Sequence, residues 1–199
     1  KEAVTWTYVC GTGFSFRYSK NSTFATAAPA LFINNSYDVM YVLALLNSKP
    51  LKEILPGINP TVNLGSGDVS RLPYIDTIYK TEIVKIVTEN VEISKFEWNS
   101  RETAWNFKKN ELVRINGQDT EEAYDSYCKY WQNKFFELHK NEEELNRQFI
   151  AIYGLQDELT PEVPLEDITI LKEETIIKKG ALVFRESEIM AQFISYAVG

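Results

Sequence analysis

The residue types that most often perform chemistry are few in this sequence and stand far apart. His139 is the single histidine, and neither a second histidine nor a cysteine lies near it in sequence to share a metal ion. Cys10 and Cys128 show no CxxC spacing, so we interpret them as free thiols in a reducing cytoplasm. The sequence therefore predicts no metal site and no disulfide, with His139 as a partly exposed helix residue.

Carboxylates are numerous, but they occur in runs that are typical of solvated surfaces. Glu142-Glu143-Glu144 and Glu173-Glu174 are interpreted in this way rather than as acid–base pairs. The sequence contains no GxSxG, P-loop or GxGxxG motif, and Gly11-Thr12-Gly13 has neither a third glycine nor a following helix. We predict a turn there and no catalytic residue in the chain.

Composition and charge limit the classes of partner. The 199 residues are 44% hydrophobic and 13% aromatic, enough for a folded core, and no apolar run is long enough to span a membrane. The net charge of −7 argues against a uniformly basic nucleic-acid binder. Residues 1–80, however, carry seven Lys/Arg and five Asp/Glu, a net charge of +2, which leaves −9 for the remainder. A polyanion should therefore prefer the first part of the chain.

The first part of the chain is predicted to be a small antiparallel β unit that packs on a buried helix. Alternating residues in 14–18 place Arg17 on the polar face of its strand. The helix is apolar on nearly every side, and Ser36 is its predicted N-cap. A loop is expected at Gly65-Ser66-Gly67. The predicted strands lie in Thr5–Cys10, Phe14–Tyr18, Phe24–Ile33 and Thr61–Leu64, and the predicted helix covers 39–46.

Two long helical patterns follow. Isoleucines at helical spacing predict a helix over 75–93, and Thr120 is expected to cap a second one that ends at Gly154. Its apolar positions have coiled-coil spacing: Tyr124, Cys128, Trp131, Phe135, Leu138, Leu145, Phe149 and Ile152. The two helices either fold back as an antiparallel hairpin, or the second packs as an ordinary amphipathic helix on a globular core.

The last part of the chain, 156–199, is predicted to be a Pro-containing linker and a C-terminal helix that starts near Ser187. The predicted fold class is thus α+β: a small antiparallel β unit with a buried helix, a long antiparallel helical hairpin and a C-terminal helical tail. We divide it into 1–74, 75–155 and 156–199. Because the chain lacks an initiator methionine and leaves apolar residues near its end without a partner, we expect it to be part of a longer protein.

Several stretches resemble a known family. "LLNS" in the buried helix, the glycine-containing turn and "LPY" at 72–74 resemble the closing half of the target recognition domains of Type I restriction specificity subunits and fused methyltransferases. The stretches "FEWNSRETAWNF", "IAIYGLQDELTPEVPLEDITI" and "FISYAVG" resemble the C-terminal region of BREX-type adenine-specific DNA methyltransferases, the PglX family. The family commonly has aspartate where this chain has Glu97 and Asn106.

This resemblance implies a division of labour. The Asn/Asp-Pro-Pro-aromatic loop with which adenine methyltransferases grip a flipped base is absent, since Asn59-Pro60 is followed by Thr61. The catalytic domain, with its S-adenosylmethionine, is therefore expected upstream in the same polypeptide, and no cofactor is expected in this region. The present chain would read double-stranded DNA through polar side chains and backbone N–H groups of its first part. The candidate DNA-binding residues are Arg17, Lys20, Asn21, Ser22, Thr23, Ser66, Gly67, Ser70 and Arg71.

In this interpretation the helical hairpin is a spacer that docks the recognition unit on the catalytic domain, and residues 20–23 form the tip of a hairpin. Trp98, Trp105 and Phe107 are expected to be packing anchors, with an interface as the second interpretation. Two alternatives stay open: a protein–protein docking module that binds another defence-system subunit, and a free-standing Type I specificity subunit. We expect a cytoplasmic location and no membrane partner.

Overall fold

The computed structural model describes residues 1–11, 13–33, 38–115 and 117–199. Its described residues form two compact units, one from 1–89 with 143–162 and one from 90–142 with 163–199. We call them unit 1 and unit 2. The division into 1–74, 75–155 and 156–199 stays a prediction about the organisation of the whole protein. The predicted α+β class is confirmed, with small antiparallel sheets, a buried helix, a long helical hairpin and a C-terminal helix.

Unit 1 begins with a three-stranded antiparallel sheet in which β1 is central, because both other strands pair with it. Trp6 lies opposite Phe16 in the register, and both side chains are buried with their ring centroids 5.5 Å apart. The indole N–H of Trp6 donates to the carbonyl of Leu64 at 2.9 Å. The strands are β1 (Glu2–Trp6), β2 (Phe16–Lys20) and β3 (Ala30–Leu31).

The apolar helix predicted for 39–46 is confirmed as α1 (Val39–Asn47), and it is buried from Tyr41 through Leu46. Asp38 caps it, since its carboxylate accepts the N–H of Met40 at 2.9 Å. The predicted cap, Ser36, lies outside the described residues. The chain turns at Ser48 into α2 (Lys49–Ile58), where Pro50 is tolerated because the first turn of a helix has N–H groups without intrahelical acceptors.

Two local predictions between α2 and the first long helix are wrong. The expected strand at 61–64 is reduced to one isolated bridge, between Val9 and Asn63. The glycine-containing loop contains a short helix, α3 (Ser66–Val69), because a local hydrogen-bond network closes its first turn. The N-terminal strand is also displaced, since β1 ends at Trp6 rather than Cys10.

The two long helices, α4 (Lys80–Asn99) and α6 (Thr120–Tyr153), each contribute residues to both units. In unit 2 they pack as the predicted antiparallel pair, because Asn141 donates to Asn90 at 2.8 Å while Phe96 stacks on Trp131 at 5.7 Å. Tyr124, Cys128 and Ile152 are only partly buried, and Ala123 and Tyr127 take the buried positions near the start of α6. The predicted spacing is confirmed for the five remaining positions: Trp131, Phe135, Leu138, Leu145 and Phe149.

The ends of these helices differ in part from the prediction. Gly154, at φ 69°, ends α6 as predicted, with the N–H groups of Gly154 and Leu155 bonded to the carbonyls of Ala151 and Ile150. Asp119, rather than Thr120, caps its start by accepting the N–H of Glu122 at 2.9 Å. The first long helix begins at Lys80 rather than at residue 75, so the isoleucine spacing extends five residues beyond the helix itself.

Unit 2 is completed by a short helix, a two-stranded hairpin and a terminal helix around a shared apolar core. Lys179 and Gly180 both have positive φ, as a two-residue hairpin turn of this twist requires. The last helix starts at Glu186, one residue before the predicted Ser187. These elements are α5 (Glu111–Ile115), β4 (Thr175–Lys178), β5 (Ala181–Phe184) and α7 (Glu186–Val198).

Candidate nucleic-acid interface

Asn47, from the "LLNS" stretch, attaches the buried helix α1 to the sheet of unit 1. Its side-chain Oδ1 accepts the N–H of Phe16 at 3.0 Å, and its Nδ2 donates to the carbonyl of Phe16 at 2.9 Å and to that of Leu43 at 3.0 Å. The amide therefore pairs with the first residue of β2 as a neighbouring strand would. This fixes the start of the strand that carries Arg17.

The other end of α1 holds the "LPY" stretch. The hydroxyl of Tyr41 donates to the carbonyl of Ile75 at 2.6 Å, and its ring lies 5.6 Å from those of both Tyr74 and Phe149. Burial raises the pKa of Tyr41 well above its usual range, because the ionised phenolate would lose its hydration. The buried helix α1 thus holds the segment that follows the glycine-containing loop.

Asn59 organises the loop from the inside. Its Nδ2 donates to the carbonyl of Asn63 at 2.6 Å and to the carboxylate of Asp68 at 2.8 Å, while its Oδ1 accepts both the N–H and the hydroxyl of Thr61. Asp68 also accepts the N–H of Gly65 at 3.1 Å. This role of Asn59 is not among the predictions from the sequence, although an Asx residue before Pro-Thr, followed by Gly-x-Gly-Asp, is a recognisable turn signal.

Four of the candidate residues lie on and just after this loop, and all four are exposed. Ser66 and Gly67 occupy the first turn of α3, where backbone N–H groups have no intrahelical acceptor. The hydroxyl of Ser70 donates to the carbonyl of Gly67 at 2.8 Å, and Arg71 pairs loosely with Asp68 at 3.7 Å. Arg71 can therefore exchange this exposed contact for a phosphate or a base edge at little energetic cost.

Arg17 lies on the solvent-facing side of β2, as the alternation predicts. Its guanidinium donates to the hydroxyl of Thr7 at 2.9 Å, a neutral partner that leaves the positive charge uncompensated by this contact. A guanidinium held in this way presents its remaining donors in a fixed plane, which suits bidentate contact with guanine or phosphate.

Residues Lys20–Thr23 are exposed, but they do not form a hairpin tip, so that prediction is wrong. Both β2 and β3 pair with β1, so the segment instead begins a connection that passes from one edge of the sheet to the other. Lys20 pairs with Glu2 at 3.1 Å, and their hydrogen bond raises the pKa of Lys20 and lowers that of Glu2. Asn21 adopts φ 57°, and the hydroxyl of Ser22 donates to the carbonyl of Lys20 at 3.4 Å.

Arg17 and the glycine-containing loop are tied to the same stretch of chain, residues 7–10. Arg17 bonds to Thr7, while the backbone of Tyr8 accepts the N–H of Leu64 at 2.8 Å and the N–H of Cys10 donates to Val62 at 2.9 Å. Two of the predicted groups, Arg17 and Ser66–Arg71, are thereby linked through one short segment. What this arrangement offers is a set of donors on a fixed frame, of the kind that contacts phosphates and base edges.

The residues considered for chemistry remain apart. His139 is half-buried and its Nε2 lies 2.7 Å from the carbonyl of Val163. Neither Cys10 nor Cys128 is in a disulfide in the part of the chain that the structure describes, and burial raises the pKa of the Cys128 thiol, which makes it a weaker nucleophile. Among the described residues, no group of three or more His, Cys, Asp or Glu is placed to hold a metal ion. Within the same ranges, no helix is both long enough and apolar enough to cross a bilayer.

Unit 2 contains a cluster of buried charged side chains around Arg101, and this cluster has a structural role. Arg101 bonds to the carboxylates of Glu97 and Glu174 and, at 3.1 Å, to Gln192, and Glu174 also accepts the hydroxyl of Tyr127. Desolvation of Arg101 is outweighed by these two carboxylates, so its pKa rises further above its already high value. The partners are satisfied by one another, which makes this cluster a clamp for the C-terminal helix rather than a reactive site.

The expected packing role of the two loop tryptophans is wrong. Trp98 and Trp105 are exposed, and only Phe107 packs, with its ring 5.8 Å from that of Tyr196. Trp98 lies in the last turn of α4 and Trp105 in the turns that follow it, and a single sequence gives no sign that both indoles face solvent. The segment that contains Trp98 nevertheless contacts the segment before β4, because Glu97 accepts the N–H of Leu171 at 3.1 Å.

Comparison with known proteins now bears on these features. No protein-family model matches the chain. It is 33% identical over 176 residues to the adenine-specific methyltransferase PglX of Lacticaseibacillus casei (strain Zhang). It is 32% identical over 209 aligned positions to the adenine-specific methyltransferase BrxX of Escherichia coli O9:H4 (strain HS). The chain is homologous to part of these methyltransferases.

The matches cover most or all of this chain, but only a small part of the relatives. They include 85% and 100% of the chain, and 15% and 17% of the respective methyltransferases. The chain thus spans about one-sixth of the length of the curated relatives that it matches. The resemblance found in the sequence to this kind of methyltransferase is confirmed, whereas the recognition role of the region stays a prediction.

Proposed function

We propose that this chain is the C-terminal DNA-recognition region of a BREX-type adenine-specific DNA methyltransferase. The observation that carries the proposal is the similarity to two adenine-specific methyltransferases over nearly the whole chain, within a segment that lacks the Asn/Asp-Pro-Pro-aromatic loop. The methyl transfer from S-adenosylmethionine to adenine N6 would then occur in a catalytic domain elsewhere in the polypeptide, in the cytoplasm.

The geometry of unit 1 supports the reading role. Arg17 and Arg71 are exposed arginines whose contacts are, respectively, a neutral hydroxyl and a loose ion pair. Both belong to segments fixed by half-buried asparagine side chains, since Asn47 holds β2 and Asn59 holds the loop before Arg71. Side chains that read bases need such support, because a loosely held arginine must lose conformational entropy when it becomes ordered on binding.

Each candidate residue has a distinct expected contribution. Arg17 would contact a guanine edge or a phosphate, Ser66 and Gly67 would present N–H groups to phosphate, and Arg71 would add a charge-assisted contact beside them. The polar segment Lys20–Thr23 would approach the duplex from the connection after β2, with Ser70 at the rim of the loop.

The test is to substitute Arg17 or Arg71 by alanine in the full-length methyltransferase and to map methylated adenines by long-read sequencing. We expect fewer methylated sites or a changed recognition sequence. Arg147→Ala is a matched control, because Arg147 is also exposed and paired with a carboxylate, that of Glu144, but lies in α6. Normal methylation with an unchanged site in both Arg17 and Arg71 variants would remove these residues from the interface.

A second candidate role, protein docking, is favoured for unit 2 by the exposure of Trp98 and Trp105. Exposed tryptophans are enriched where proteins bind one another, and residues 81–199 carry the acidic excess that disfavours DNA. The partner would be the catalytic domain of the same polypeptide or another defence-system subunit. A free-standing Type I specificity subunit is distinguished by the sequence upstream, which would then lack the Asn-Pro-Pro-aromatic loop.

A further inference from the structure

An exposed aromatic pair flanks the end of the connection from β2 to β3: Phe24 lies in the connection, and Phe32 directly follows β3. Phe24 is 61% exposed and Phe32 is 43% exposed, and their ring centroids lie 5.2 Å apart in an edge-to-face arrangement. We call Phe24 and Phe32 the aromatic pair. Single exposed apolar residues are common, but two phenyl rings in mutual contact on the surface form a small apolar projection.

The segment that carries the aromatic pair is held against β1. The hydroxyl of Thr5 donates to the carbonyl of Pro29 at 2.7 Å, and the N–H of Tyr8 donates to that of Ala27 at 3.2 Å. Between the two phenylalanines, Ala25 and Ala28 exchange both backbone hydrogen bonds, at 3.2 Å and 3.0 Å. The pair is therefore presented by a braced turn, and its exposure is a feature of the fold.

The charges of the sequence stretch that carries the pair are compatible with a polyanion, although Lys20 pairs with Glu2. The sequence has no Asp or Glu from residue 3 through residue 37, and the charged residues in that span are Arg17 and Lys20. Phe24 directly follows the polar segment Lys20–Thr23, which is exposed. A phosphate backbone could thus approach this connection without repulsion from nearby carboxylates of the same stretch.

We propose that the aromatic pair is a wedge that stacks on an opened base step of the duplex DNA bound by unit 1. This inference rests on the proposed function. An enzyme that modifies a base takes it out of the stack, which leaves a neighbouring base without its stacking partner. Apolar side chains inserted at such a step compensate for the lost stacking, and the contact is tolerant of sequence because every base has a π-face.

The wedge differs from the arginines in what it contributes. Arg17 and Arg71 would set register and sequence, whereas the aromatic pair would add affinity and hold the step open. Binding by the wedge should be insensitive to salt, because phenyl rings release no counterions, whereas each arginine–phosphate contact steepens the salt dependence.

The test uses the full-length protein and a duplex with 2-aminopurine, whose fluorescence rises when it is unstacked, placed beside the recognised adenine. We expect the double variant Phe24→Ala/Phe32→Ala to bind at least about 5-fold more weakly, with an unchanged salt slope and a smaller fluorescence rise. Phe24→Trp, which keeps a flat ring, should retain both signals. Trp105→Ala removes an exposed aromatic side chain from unit 2 and should leave both signals unchanged.

The outcomes separate the wedge from the proposed function. If Arg71→Ala weakens binding while the double phenylalanine variant keeps wild-type affinity and fluorescence, the wedge is refuted and the recognition role stands. If the double variant lowers the melting temperature but binds normally per folded molecule, another part of the protein covers the pair and the wedge is refuted. If the wild-type full-length protein binds no DNA, the proposed function itself fails.

Discussion

Replacing Asn47 by alanine should show how strongly the frame of the candidate interface depends on one amide. The substitution removes an acceptor for the N–H of Phe16 and two donated hydrogen bonds, one to Phe16 and one to Leu43. It leaves the backbone groups of Phe16 without this partner at the start of β2. The deleted carboxamide is small and polar, so the expected effect is mainly that of lost hydrogen bonds.

The magnitude follows from the three contacts. A hydrogen bond contributes about 0.5–1.5 kcal/mol net, and a stranded donor or acceptor that stays buried adds a desolvation cost. Because Asn47 is half-buried, water can replace part of what is lost. We therefore expect the free energy of unfolding to fall by about 2–4 kcal/mol, a large fraction of the stability of an ordinary domain.

The assay is urea denaturation followed by the fluorescence of tryptophan, together with hydrogen exchange of the Phe16 amide. Trp6 is fully buried in unit 1 and reports on that unit, and the Phe16 amide should lose protection in the variant. Asn106→Ala is the control, because Asn106 is exposed and should tolerate the change. A loss below about 0.5 kcal/mol, with Phe16 still protected, would refute the role given to Asn47.

Two further predictions concern stability. Trp131→Ala should lower the free energy of unfolding by about 3–5 kcal/mol, because the side chain is fully buried on α6; thermal melting measures this, with the exposed Phe136 as the site of a control alanine. Tyr153 donates its hydroxyl to the carbonyl of Pro73, and burial raises its pKa to about 12 from the ordinary 10.0. Its contribution to stability is therefore complete below pH 10 and is lost as the pH rises from 10 toward 12, so that Tyr153→Phe should flatten this alkaline decline in melting temperature.

Each of these has a clear contrary result. An unchanged melting temperature in Trp131→Ala would mean that the heptad face of α6 is not core. An alkaline decline of equal steepness in wild type and Tyr153→Phe would mean that another group, such as the buried Tyr41, accounts for it.

The long helices were the most predictable part of the fold. The spacing from Trp131 through Phe149 identified the buried face of α6, and Gly154 marked its end, because helix periodicity and a glycine C-cap are local signals. The apolar helix α1 was equally evident, since a segment without a polar side must be buried.

The predictions that are wrong concern features that depend on tertiary contacts. The sequence cannot show that β2 and β3 flank β1, and the prediction of a hairpin tip at Lys20–Thr23 fails for this reason. The role of Asn59 depends on Asp68, nine residues away, and the outward turn of Trp105 depends on how the loop packs. The placement of Arg17 on an exposed strand face was predictable because alternation along a strand is itself local.

The central claim is that residues 1–74 choose the DNA sequence that a separate domain methylates. The most direct measurement exchanges this segment, in the full-length protein, for the corresponding segment of a relative with a different recognition sequence, and maps methylated adenines by long-read sequencing. We predict that the methylated sequence changes toward that of the donor of the segment. Methylation that continues at the original sequence after the exchange would contradict the claim.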